Sequence, residues 1–184
     1  MPFTVHHLDI DGLLLFEPLK FSDSRGWFAE YYRESLFVDA GIEAPFVQDN
    51  VSFSIRGVIR GLHYQVPPAE QAKLVTVLEG EIFDVAVDMR AHSPTRSRWT
   101  GLRLDAGKGH MLYIPEGFAH GFAVLSDSAV VHYKCTAEYQ PEYERGIRWN
   151  DPDLAIAWPV VDPIMSDKDL RLPVMSTHSD GAMP

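Results

Sequence analysis

The sequence predicts an all-β domain, built as a sandwich or small barrel, and three observations carry that expectation. Helical periodicity is scarce. Short apolar runs alternate in steps of two, as Phe83, Val85, Val87 and Met89 do against Asp84, Ala86 and Asp88, which is the pattern of a half-buried strand. Glycine and other turn residues punctuate these runs at regular intervals, as the strands of a sandwich or barrel require. The 184 residues suit one domain, since domains of 100 to 200 residues are the common size.

Taken in order, Leu13 to Phe21 is an apolar run broken by Pro18. Proline cannot donate to a sheet ladder, so an edge or a bulge is expected there. Tyr32 to Ala40 is the best helical stretch, with Gly41 placed as its C-terminal cap. Lys73 to Leu78 and Glu81 to Met89 flank Glu79-Gly80 and read as a hairpin. Met111 to Ile114, Gly121 to Leu125 and Ala129 to Thr136 add strands. From about Glu138 the texture changes: Pro141, Trp149, Pro152, Trp158, Pro159 and Pro163 crowd together and alternation fades. This predicts an irregular C-terminal arm held on the barrel by its tryptophans. Ser176 to Pro184 is small and polar and reads as a poorly ordered tail. No fixed-period repeat and no low-complexity linker divides the chain, so residues 1–184 are expected to form a single domain.

Composition excludes several classes of partner. Lys and Arg total 16 against 26 Asp and Glu, a formal charge of −10. Nonspecific nucleic-acid binding needs a basic field to displace counterions, and an anionic membrane surface needs the same. An anionic small molecule stays possible if cations gather locally. Cys135 is the sole cysteine, which excludes an internal disulfide and a cysteine-rich zinc site. The N-terminus lacks the pattern of a secretory signal, and no stretch approaches the roughly 20 apolar residues of a membrane span. A cytoplasmic protein is the expectation.

Two stretches carry chemistry. Gly57 to Gln65 follows G-x5-H-x-Q, and Gly109 to Phe122 contains G-x5-P-x-G-x2-H. They resemble the two motifs of the cupin superfamily, with Gln65 where the first motif has its second histidine. Each puts a histidine, His63 or His120, on a strand facing the barrel interior. Metal-binding cupins gather several imidazoles and a carboxylate around one ion. His63, Glu70 and His120 could be proposed as ligands, but Gln65 in a ligand position weakens that set, and no metal is expected.

The resemblance narrows along the chain. Asp23-Ser-Arg25-Gly26-Trp-Phe28-Ala-Glu30, Phe46-Val-Gln48-Asp49-Asn50, Arg60-Gly-Leu-His63-Tyr-Gln, Lys73-Leu-Val, Asp84-Val-Ala-Val-Asp88 and Ser93-Pro94-Thr95 occur in order. Ile114-Pro-Glu-Gly-Phe-Ala-His120-Gly-Phe, Tyr133-Lys134, Trp149-Asn-Asp-Pro and Ser166-Asp-Lys168-Asp169 follow. Over about residues 3 to 173 the chain resembles the dTDP-4-dehydrorhamnose 3,5-epimerase family. The resemblance implies an all-β, cupin-type jelly-roll barrel with a few short helices. It also implies a homodimer, a dTDP-4-keto-6-deoxyglucose substrate and no metal or organic cofactor.

Epimerising a carbon beside a ketone needs a base, a group that stabilises the enolate oxygen, and an acid on the opposite face. His63 suits the base because imidazole titrates near working pH. The resemblance implies Asp169 as its carboxylate partner, with Asp167 two residues earlier an open alternative. It implies Lys73 as enolate stabiliser and Tyr133 as acid, with Val131 and Cys135 sharing its inward face. Arg25 and Arg60 would grip the diphosphate, since guanidinium matches phosphate oxygens. Gln48 and Asn50 would bond the diphosphate or sugar, and Phe28, Glu30 and Tyr139 would hold the thymidine. His120 would either bond the sugar or brace the site. The segment from Arg25 to Glu30 would reach the partner's site.

Without the motifs each residue has a plainer reading. His63 would be a satisfied structural histidine, Lys73 a surface lysine and Tyr133 a core filler. Asp169 would be a loop residue, Arg25 and Glu30 a surface pair, Gln48 and Asn50 turn residues, and Phe28 and Tyr139 core aromatics. Gly57, Gly61, Pro115, Gly117 and Gly121 read as turn and bulge residues. An epimerase acting at C3 alone, and a metal-dependent cupin, are the competing functional classes.

Overall fold

A computed structural model describes residues 3–177. Its strands are β1 (Phe3–His7), β2 (Leu14–Pro18), β3 (Lys20–Asp23), β4 (Gly26–Ala29), β5 (Gln48–Ile55), β6 (Ile59–Gln65) and β7 (Lys73–Glu79). They continue with β8 (Glu81–Asp88), β9 (Trp99–Asp105), β10 (Met111–Ile114), β11 (Phe118–Val124), β12 (Ser128–Cys135) and β13 (Glu144–Gly146). Helix α1 spans Glu34–Asp39 and α2 spans Asp167–Leu170. Two antiparallel sheets face each other, one ordered β1-β2-β10-β7-β12-β5 and the other β13-β6-β11-β8-β9. This is the jelly-roll barrel the sequence led us to expect. Strands β3 and β4 form a separate two-stranded ribbon.

Three layers of apolar packing hold the barrel. Between the sheets lie Ile10, Leu13, Val75, Val77, Ile82, Leu104, Leu112, Phe118 and Val131. Under α1, Phe37 stacks on Phe16 with ring centroids 4.5 Å apart, on the outer face of the six-stranded sheet. Burying a side chain of this size stabilises the fold by about 1.5–3 kcal/mol. On the outer face of the five-stranded sheet, Leu62, Tyr64, Val85 and Val87 meet Ile147, Leu154 and Trp158 of the C-terminal arm. Trp158 packs edge-on against Phe83 and donates its indole N–H to Trp149 O at 2.7 Å. The arm is irregular, as expected. A parallel bridge between Val58 and Ile164 ties it back to the barrel.

Several expectations change. Lys73–Glu79 and Glu81–Asp88 are not a hairpin: β7 pairs with β10 and β12, and β8 with β11 and β9, in the opposite sheet. The chain crosses between sheets at Gly80, whose φ is +80° and where a Cβ would lie 2.1 Å from Ser128 O. Only glycine fits that corner. Strand β8 keeps its alternation but is buried on both faces, because the arm covers Phe83, Val85 and Val87 while Ile82 and Ala86 enter the barrel. Pro18 closes β2 opposite Phe3 and marks neither an edge nor a bulge, since β2 sits between β1 and β10. The helix begins at Glu34, two residues late, and Gly41 follows its C-cap at φ +88°. Ser176 and Thr177 belong to a short 3-10 turn, and the rest of the proposed tail lies outside the described residues.

Candidate active site

Strands β6 and β11 are antiparallel neighbours in which His120 lies directly opposite His63. Gly61 and Gly121 permit this approach: a Cβ on Gly61 would lie 2.5 Å from Gly121 Cα. The register slips between His120 and Phe122, so the expected bulge is present. Both histidines line a cavity of about 690 Å³ at one end of the barrel. The facing wall comes from the six-stranded sheet and carries Gln48, Asn50 and Ser52 of β5, Lys73 of β7, and Tyr133 and Cys135 of β12.

Each histidine is held by a carboxylate. His63 Nε2 lies 2.8 Å from Asp169 Oδ1. Asp169 is buried in α2, where Ser166 caps the helix by accepting from the Asp169 N–H at 3.1 Å. The second oxygen of Asp169 accepts from Gly61 N at 3.3 Å. Burial would raise this carboxyl, but the bonds from His63, Gly61 and Ser166 outweigh it and hold it below the usual carboxylate range. Asp167 is exposed, so the two-way choice left by the motif falls to Asp169. His120 Nε2 lies 2.9 Å and 3.1 Å from the two oxygens of Asp84.

Lys73 is buried with its Nζ 3.4 Å from His63 O. Burial pushes its amine down, opposed by Cys135, Glu144 and Asp84. Burial pushes the Tyr133 phenol up, with Cys135 and Glu144 adding to the rise and Arg60 opposing it. Cys135 is buried, and its thiol is pushed up by burial while Lys73 and the Asn50 amide at 3.7 Å pull it down. Gln65 donates to Ala69 O and Glu138 O and accepts from Gln140 N. It therefore braces the loop at Ala69 and the start of the arm. Among the described residues no three His, Cys, Asp or Glu side chains are grouped as a metal site.

At the mouth, Arg60 donates to Ser54 Oγ at 2.9 Å and to Phe53 O. Gln48 Nε2 donates to Asn50 Oδ1, and Gln48 Oε1 accepts from Tyr139 N at 2.8 Å. Tyr139 donates its hydroxyl to Glu144 at 2.7 Å, and Lys168 pairs with the same carboxylate. Burial raises the Glu144 carboxyl, but Lys168 and Tyr139 outweigh it and hold it below its ordinary range.

Nine of the twelve residues singled out in the sequence thus meet in one cavity: Gln48, Asn50, Arg60, His63, Lys73, His120, Tyr133, Tyr139 and Asp169. Arg25, Phe28 and Glu30 do not line it. They sit on or beside the exposed ribbon, with Arg25 paired to Asp23 at 2.6 Å and Glu30 to Arg33 at 2.6 Å, so they are not a pair with each other. Sequence reasoning missed Glu144, Lys168 and Ser52 on the cavity wall, and Asp84 behind His120. Lys168 and Asp84 stood inside recognised segments, whereas Glu144 and Ser52 carried no local signal.

Fold and cavity define a cupin-type barrel equipped for proton transfer, with a histidine–carboxylate pair on one sheet and a buried lysine and tyrosine on the other. A profile for dTDP-4-dehydrorhamnose 3,5-epimerase matches residues 7–177, and the chain belongs to that family. It is 53% identical to the dTDP-4-dehydrorhamnose 3,5-epimerase of Methanothermobacter thermautotrophicus over 163 residues, 87% of this chain and 88% of that one. The crystal structure of the Legionella pneumophila 3,5-epimerase in complex with dTDP-4-keto-L-rhamnose superposes with a TM-score of 0.93 at 44% identity, covering 96% of this chain and 95% of that one. A 3'-monoepimerase from Streptomyces bikiniensis, in complex with dTDP-quinovose, gives 0.88 at 39% identity, covering 94% and 88%.

Proposed function

We propose that the protein epimerises C3 and C5 of dTDP-4-keto-6-deoxy-D-glucose through enolate intermediates, giving dTDP-4-keto-L-rhamnose. The observation that carries this reading is the placement of His63 and Tyr133 on opposite sheets of one cavity. Inverting a carbon requires deprotonation from one face and reprotonation from the other, and the two walls supply them. With Nε2–H donated to Asp169, the basic nitrogen of His63 is Nδ1. It removes the proton beside the ketone. Lys73 stabilises the enolate oxygen, an ammonium being worth far more in a water-poor cavity than in water, and His120 hydrogen-bonds the sugar. Tyr133 returns the proton. Arg60, Gln48, Asn50 and Tyr139 receive the nucleotide end at the mouth, beside Glu144 and Lys168.

The protein acts as a homodimer in this reading. Val51, Phe53 and Ile55 form an exposed apolar row on edge strand β5, and Phe21, Trp27 and Phe28 are exposed on the ribbon. Such a surface suits a partner subunit. Arg25, Phe28 and Glu30 would then complete the partner's nucleotide site. Among the described residues no helix is long and apolar enough to cross a membrane, and the lone buried thiol of Cys135 suits the reducing cytoplasm.

Incubation with dTDP-4-keto-6-deoxyglucose in D₂O tests the reading. Deuterium at both C3 and C5, with both centres inverted, is the expected result. Exchange at neither carbon would reject it. Inversion at C3 alone would instead assign the activity of the monoepimerase relative.

A further inference from the structure

We propose that Asp84 is a positioning residue for this reaction: it fixes the tautomer and the orientation of His120 in the cavity. The proposal rests on the epimerase reading of the cavity. Asp84 is 0% exposed and stands on β8 between Ile82 and Ala86, both in the packing between the sheets. A carboxylate at that position is costly unless it is paired. Its partner is His120, reached diagonally across the β8–β11 ladder, where Ala86 is the residue directly opposite. Both carboxylate oxygens lie within hydrogen-bond distance of His120 Nε2. Nε2 therefore carries the proton, and Nδ1 is the nitrogen presented to the sugar. The arrangement repeats that of His63 and Asp169 on the neighbouring strand. One carboxylate comes from helix α2, and the other from within the barrel.

Asp84→Asn keeps the shape and removes the charge. The expected result is a kcat lower by about 10- to 100-fold, unchanged dTDP affinity, and a His120 ring whose ¹⁵N signals no longer report a single fixed tautomer. Wild-type kcat with an unchanged His120 tautomer would overturn the proposal. ¹⁵N-histidine NMR of the wild-type protein gives a second test that needs no folded Asp84 variant, with His120 identified by loss of its signals in His120→Asn. A protonated, hydrogen-bonded Nε2 is expected, and an unprotonated Nε2 would overturn the proposal. Wild-type exchange in D₂O is run beside both tests, so a failure of the epimerase reading is seen separately.

Discussion

His63 Nε2 and Asp169 Oδ1 are 2.8 Å apart although 106 residues separate them in the chain. The bond joins β6 inside the barrel to the short helix α2 of the C-terminal arm, so the arm completes the site as well as covering the sheet. Asp169→Asn would leave the packing in place and remove the charge that fixes the His63 tautomer. We expect kcat to fall by about 10²- to 10⁴-fold, the range for loss of a positioned acid or base, with dTDP affinity unchanged by calorimetry. Because its hydrogen bonds hold the Asp169 carboxyl below the usual range, it stays ionised at every pH above about 4. Loss of activity on acidification above that point therefore cannot come from Asp169. Wild-type turnover in the asparagine variant would remove the pair from the mechanism.

Lys73 and Tyr133 share a wall but respond to burial in opposite directions. The lysine moves down from its ordinary value and the tyrosine moves up. A rate that needs both protons is thus limited on the alkaline side by Lys73. The alkaline limb of kcat should fall below the ordinary lysine value of about 10.4 and should keep its position in Tyr133→Phe. Lys73→Arg should remove that limb, because guanidinium does not titrate in this range. In Tyr133→Phe, proton removal should outlast reprotonation, giving deuterium exchange without full inversion. Full inversion at the normal rate in that variant would show that another acid returns the proton.

The barrel was legible because strand alternation and turn residues are local signals, and the cavity because its histidines stand in spaced motifs. What escaped was non-local. Lys73–Glu79 and Glu81–Asp88 have the pattern of a hairpin, yet Gly80 sends them to different sheets, and no short window encodes which partner a strand will take. Asp84 sat within a recognised segment, but its meaning depends on His120, 36 residues away. Glu144 gains its place from Tyr139 and Lys168, and nothing in its own neighbourhood announces it. Ser93 and Thr95 were recognised without a role; the structure gives them one, as donors to Asp88.

Asp88 is fully buried at the end of β8 and accepts from Ser93 Oγ at 2.5 Å, Thr95 Oγ1 at 2.6 Å and Arg90 Nη2 at 2.8 Å. Burial would raise this carboxyl, but these bonds outweigh it and bring it down to about 2. A group depressed in the folded state from about 3.9 in the unfolded chain contributes stability that is fully present above pH 4 and lost as pH falls through 2. The shift corresponds to about 2–3 kcal/mol at pH 7. Asp88→Asn should therefore be less stable than wild type by at least that amount at neutral pH, with the gap narrowing as pH falls from 4 towards 2. Urea unfolding at several pH values measures it, and a gap independent of pH would contradict the assignment.

Arg25 lies on the exposed β3–β4 ribbon, outside its own cavity, and bonds only its neighbour Asp23 among the contacts seen for it. If it serves the partner's nucleotide site, Arg25→Ala should weaken dTDP binding by about tenfold or more, the loss expected for a charge-assisted phosphate contact. The decisive form of the test mixes two defective homodimers, Arg25→Ala and His63→Ala, under conditions that exchange subunits. A mixed dimer then holds one cavity with an intact His63 and an intact Arg25 reaching in from the other subunit. Random reassortment makes half the dimers mixed, so about a quarter of all sites should regain full function. Recovery to that level supports a shared site. If Arg25 acted on its own cavity, each mixed dimer would hold one site lacking Arg25 and one lacking His63, and mixing would restore nothing.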